Sequence, residues 1–143
     1  MQEEAFVHFL RTGLLANYKA GVAFNDIGLE YLGEGPIDGK YYALNDWATL
    51  WVSTKNLITM IEVNVKAVDF KEYMNANFDL KIFNLKRVLN FLELQNLQWV
   101  IDEDWTYSKQ LTIILQSRVQ LYFVLNKQLE YMLTGISIAD FSS

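Results

Sequence analysis

The stretch 111–125, LTIILQSRVQLYFVL, is the most apolar of the chain, and the period of its apolar residues decides the fold. Leu111, Leu115, Arg118, Tyr122, Leu125, Leu129 and Met132 recur in alternating steps of four and three, the spacing of one helix face. That spacing predicts a long helix over 105–134, with the acidic turn Asp102-Glu103-Asp104 before it and Gly135 where a C-cap belongs. The stretch also has a strand character. Residues 97–101 and 111–115 are rich in β-branched or aromatic side chains, which suit a pleated surface. The four–three spacing is sustained over more residues, so the helix is the expectation and the two short strands are its alternative.

The same spacing extends upstream. Phe70, Met74, Phe78, Ile82, Leu85, Leu89 and Leu92 predict a third helix over 69–94, extending as far as residue 99. A second row, Leu80, Phe83, Phe91 and Leu94, makes it apolar on more than one side, and Asn75-Ala76-Asn77 is a point where it could break. Trp47, Trp51, Thr54, Ile58, Ile61, Val65 and Val68 predict a second helix over 46–67, with Asn45 or Asp46 as N-cap. Phe6, Leu10, Gly13, Asn17 and Ala20 predict a first over 3–23. Between them, 25–44 holds the single proline, Pro36, and is expected as a long loop. Its Leu29, Tyr31, Leu32, Tyr41 and Tyr42 require something to pack against. Residues 136–143, with Ile136, Ile138 and Phe141, are expected as an extended tail. The architecture expected is therefore all-α: one four-helix bundle-like domain over 1–143, with α+β (short strands near 97–101 and 111–115) as the alternative. No internal repeat is evident.

Composition narrows the function. The chain has 143 residues, no cysteine, one histidine and a net charge of −5. Absent thiols exclude disulfides and zinc–thiolate sites. The acidic balance and the lack of any basic run argue against nucleic acid and anionic lipid as partners. The acidic N-terminus lacks the basic region of a signal peptide, and no run of 18 apolar residues exists, so a soluble, intracellular or virion-resident protein is expected. His8 lies between Val7 and Phe9 with no serine motif to serve. Gly33-Glu34-Gly35-Pro36-Ile37-Asp38-Gly39-Lys40 has the wrong glycine spacing for a phosphate loop, and Tyr41 stands where Ser or Thr would bind magnesium. Asp102, Glu103 and Asp104 lack the alternating ligands of a calcium loop. No catalytic residue, cofactor or metal site is expected.

An apolar surplus remains, with 52% hydrophobic and 15% aromatic residues. A compact monomer of this size exposes roughly 7,600 Å², and such a surplus points to protein partners, as a homo- or hetero-oligomer. Candidate interface residues are Arg118 on the fourth-helix seam, where it could set register through an ion pair, and Trp99 and Trp105 flanking the acidic turn. Phe83 and Phe91 on the third helix, Tyr41 and Tyr42 in the loop, and Phe141 in the tail complete the set. The function expected is a non-catalytic structural or adaptor subunit of a larger assembly, such as a virion ring or connector. The alternative is a small acidic immunity- or antitoxin-type inhibitor of a basic protein.

Overall fold

A computed structural model describes residues 3–25, 28–35 and 39–140. It overturns the expected helical bundle. Among the described residues the chain forms one eight-stranded, wholly antiparallel sheet in the order β1-β2-β3-β4-β8-β7-β6-β5, with three short helices. The strands are β1 (Glu30–Glu34), β2 (Lys40–Asn45), β3 (Ala48–Val52), β4 (Ile58–Val63), β5 (Trp99–Ile101), β6 (Gln110–Leu115), β7 (Gln120–Leu125) and β8 (Tyr131–Ala139). The helices are α1 (Ala5–Thr12), α2 (Val68–Phe78) and α3 (Leu85–Leu94). Two four-strand meanders meet where β4 pairs with β8, and each is preceded by helix: α1 before the first, α2 and α3 before the second.

Each expected element is corrected accordingly. The first helix ends at Thr12, because Gly13 turns left-handed at φ 79 and returns its N–H to the Phe9 carbonyl at 2.7 Å. The stretch 25–44 contains β1 and β2 in place of a long loop. The second expected helix is the β3–β4 hairpin. The third is two helices, broken not at Asn75-Ala76-Asn77 but at Asp79, where φ is 51. The fourth is β6, β7 and the start of β8, and 136–139 of the expected tail are the inner end of β8. The strands of the alternative, near 97–101 and 111–115, coincide with β5 and β6, but these are two of eight.

The physical reason lies in side chains that alternate between two faces along the strands while apolar residues occupy both. In β6 and β7, Leu111, Ile113, Leu115, Leu121, Phe123 and Leu125 face one side, and Thr112, Ile114, Gln120, Tyr122 and Val124 face the other. Both sides are rich in apolar residues, so a period of two is masked and a four–three stripe can be drawn through inward, outward and turn positions alike. The turns give no warning either. Three hairpins share one geometry, a tight turn followed by a left-handed residue, and the left-handed positions are Asn56 (φ 62), Arg118 (φ 81) and Leu129 (φ 62). Across them the Asn56, Arg118 and Leu129 amides donate to the carbonyls of Ser53, Leu115 and Asn126 at 2.9, 2.9 and 3.1 Å. Glycine usually marks such positions.

Leu129 is 79% exposed. A left-handed conformation costs a non-glycine residue roughly 1–2 kcal/mol, and glycine in turn loses about 0.5–1 kcal/mol through its greater freedom when unfolded. Leu129→Gly should therefore raise stability by about 0.5–1 kcal/mol, read as a higher urea midpoint. A lower midpoint would mean that residue 129 is not the left-handed turn residue.

The helices cover one face of the sheet, called inner here. Phe6 and Leu10 of α1, Phe70 and Met74 of α2, and Val88, Phe91 and Leu92 of α3 are buried with Leu121, Leu133 and Ile136 of the sheet. Phe6 sits at the centre, with ring centroids 6.0 Å from Trp47, 5.2 Å from Phe70 and 6.2 Å from Phe91. Its amide donates to the Tyr73 hydroxyl at 3.2 Å, satisfying a free N–H at the start of α1. Burial pushes the Tyr73 phenol above its ordinary value, and the neighbouring Glu4 carboxylate adds to the shift. At α3 the Asn84 side chain accepts the Arg87 N–H at 3.0 Å as N-cap.

Candidate protein-interaction face

None of α1 to α3 packs on the other, outer face, although the short 3-10 turn Glu103–Trp105 lies over Thr112 of β6. One cross-strand row runs through all eight strands, Glu30–Ala43–Thr49–Glu62–Ser137–Gln120–Ile114–Val100. Beside it lie Tyr41, Trp51 and Met60 over the first meander, and Tyr122, Val124 and Met132 over the second. Val100 and Val124 are exposed, Tyr41, Trp51, Met60, Ile114, Tyr122 and Met132 are half-buried by their neighbours, and the small Thr49, Thr112 and Ser137 between them are buried. The whole chain exposes 8974 Å², above the roughly 7,600 Å² of a compact monomer of its mass, in keeping with a sheet covered on one side.

The face is poor in charge. Across β3 to β8 the only charged residue is Glu62. An antiparallel sheet facing water normally alternates apolar-in with polar-out. Here, apart from Glu62, Gln110, Gln120 and Gly135, the outward positions of β3 to β8 are aromatic, aliphatic, methionine or small hydroxyl residues. That composition, with aromatics and methionine present and charge depleted, is the signature of an interface core.

The face is also rigidly built. Tyr41 stacks on Trp51 at 4.8 Å and 21°. Gly35 lies over the same indole, where a Cβ would come within 2.9 Å of the ring, so only glycine fits without displacement. The buried Trp51 Nε1 has no acceptor among the described residues. Toward the other edge, the Tyr122 hydroxyl donates to Gln120 Oε1 at 2.6 Å, and Gln120 Nε2 donates to Asp102 Oδ2 at 2.7 Å. The Thr112 hydroxyl donates to the Trp105 carbonyl at 2.7 Å, and Gln110 Nε2 to the same oxygen at 3.1 Å. These bonds hold the loop after β5 against the sheet and leave Trp105 and Tyr107 more than half exposed at its rim.

The candidates from sequence scatter. Trp105 joins the rim of this face, and Tyr41 lies within it. Arg118 occupies the β6–β7 turn, not a helix seam, and makes no ion pair among the described residues. It shares a shallow cleft of about 480 Å³ with Asp102, Glu103, Asp104 and Trp105. Trp99 is half-buried on the inner side, in register with Leu115. Phe83, Phe91 and Tyr42 are in the core, each less than a tenth exposed. Phe141 lies outside the described residues. Sequence spacing missed Trp51, Met60, Glu62, Ile114, Tyr122 and Val124 as one surface. The pleat of 48–52, 58–63 and 110–125 groups them, but with apolar residues on both faces the sequence carries no period-two polarity that would reveal it.

For chemistry, His8 is exposed and lies 3.6 Å from Glu3, which also pairs with Arg11 at 2.8 Å. Among the described residues no three His, Asp or Glu side chains are grouped to hold a metal ion. No helix of the described residues is long and apolar enough to cross a membrane. Comparison with protein-family models, curated proteins and solved structures returns no match.

Proposed function

We propose that the chain is a non-catalytic structural or adaptor subunit of a larger protein assembly, and that it seats another protein chain on the outer face of its sheet. A ring or connector component of a virion is one such setting. The observation that carries this is the charge-poor, aromatic- and methionine-bearing face left open by all three helices. The strand row spans about 34 Å at 4.8 Å per strand, a breadth suited to a standard interface of about 800 Å² per partner. An inhibitor steered by charge would present an acidic surface instead, so the adaptor is favoured over it.

A photoreactive benzoylphenylalanine placed in turn at Met60 and Ile114, and at the exposed helix residues Lys71 and Lys86, tests this in the native cell. The outer-face positions should cross-link one defined protein in common, and the helix positions should not. Adducts from the helix positions alone, or none from the face, would contradict the proposal.

A further inference from the structure

Resting on that reading, the geometry points to the chemistry of the partner: we infer that it brings a single Lys or Arg side chain, set in an otherwise apolar protein surface, onto Glu62. Glu62 stands on β4, one of the two central strands, with Thr49 and Ser137 opposite it on either side. It is half-buried already. Among the described residues no ion pair or hydrogen bond reaches its carboxylate. Thr49 is itself engaged, as acceptor of Asn64 Nδ2 at 3.2 Å. Among the described residues no cation pairs with it, and the only basic residue in any strand is Lys40 at the start of β2.

Covering the face therefore takes Glu62 out of water with no cation beside it, only the neutral hydroxyls of Thr49 and Ser137. An uncompensated buried carboxylate opposes binding strongly, and a cation with good geometry removes that penalty. A second copy of this chain seated symmetrically over Glu62 supplies none. In a two-fold dimer built on this face the same patch meets itself, and an axis through its centre would bring the two Glu62 carboxylates together. The charge also discriminates among partners, because an apolar surface with an acid or no ion at that point is rejected.

The test uses a defined surrogate, a peptide of about 18 residues forming an amphipathic helix roughly 27 Å long. Its apolar side is Leu and Ala, its polar side Gln and Ser, and one central apolar-side position is Arg or norleucine. Nuclear magnetic resonance titration of the full chain reads both site and affinity. The Arg peptide should shift the amides of Met60, Glu62, Ile114 and Ser137 and bind at least tenfold tighter than the norleucine peptide. Glu62→Gln should abolish that tenfold difference while leaving the norleucine peptide within about twofold, and Ile114→Lys should weaken both. Equal binding of the two peptides to the outer face would overturn the inference while sparing the face. Shifts confined to the helices, or none, would remove the face itself. Sedimentation of the unmodified chain as a dimer that Ile114→Lys disrupts would make a second copy the occupant and also overturn it.

Discussion

Ile113→Asp should unfold the chain, whereas Ile114→Asp, one residue further on, should leave it folded. Ile113 is fully buried on the inner face, between Ile101 of β5 and Leu121 of β7. Losing its apolar burial costs about 1.5–3 kcal/mol, and an unpaired carboxylate in the core adds several kcal/mol more. Together these rival the roughly 5–15 kcal/mol that holds a domain folded. Ile114 points outward between Val100 and Gln120 and is half-exposed. The same change there should cost about 1 kcal/mol or less. On a helix with its seam at Leu111, Leu115 and Arg118, both positions would lie off the seam and both changes would be tolerated. Circular dichroism and urea titration of the two variants separate the outcomes, and equal tolerance would refute the sheet.

Phe6→Ala should be the most damaging change in the helical layer. The ring is 2% exposed and touches Trp47 in the β2–β3 turn, Phe70 of α2 and Phe91 of α3. Removing a buried phenylalanine of this kind costs about 3–5 kcal/mol, transfer and cavity terms together. The neighbouring His8 is exposed, and His8→Ala should change stability by no more than about 0.5 kcal/mol. A loss below about 1 kcal/mol for Phe6→Ala would mean that α1 is not docked where three aromatic rings converge.

The sequence was legible where burial leaves one face wet. α1 shows its Phe6, Val7, Phe9 and Leu10 stripe against exposed His8, Arg11 and Thr12, and helix was expected there. Helical spacing in 69–94 also corresponds to helix, though interrupted, and Asn84 caps its second part. The apolar side chains of 25–44 required a surface to pack on, and Tyr42 and Leu44 do enter the core. The sheet was illegible for a connected reason. An outer face carrying Trp51, Met60, Ile114, Tyr122 and Val124 erases the polar half of the strand alternation, so the surface proposed here for binding is what disguised its strands as helices. Turns built on Asn56, Arg118 and Leu129 then removed the glycine signals that would have separated them. The candidate site was only partly readable: Trp105 and Tyr41 fall on it, but their grouping with Trp51 and Glu62 exists only once β1 to β8 are placed in order.

The chain is one sheet with one face covered by α1 to α3 and one face free of them, and solvent access to the side-chain methyls of the unmodified chain measures this directly. With a soluble gadolinium chelate, the methyl signals of Met60, Val100, Ile114, Val124 and Met132 should bleach, while those of Ile61, Ile113, Leu121, Leu133 and Ile136 persist. Equal bleaching of Ile113 and Ile114, or protection of the whole outward set in the free monomer, would contradict it.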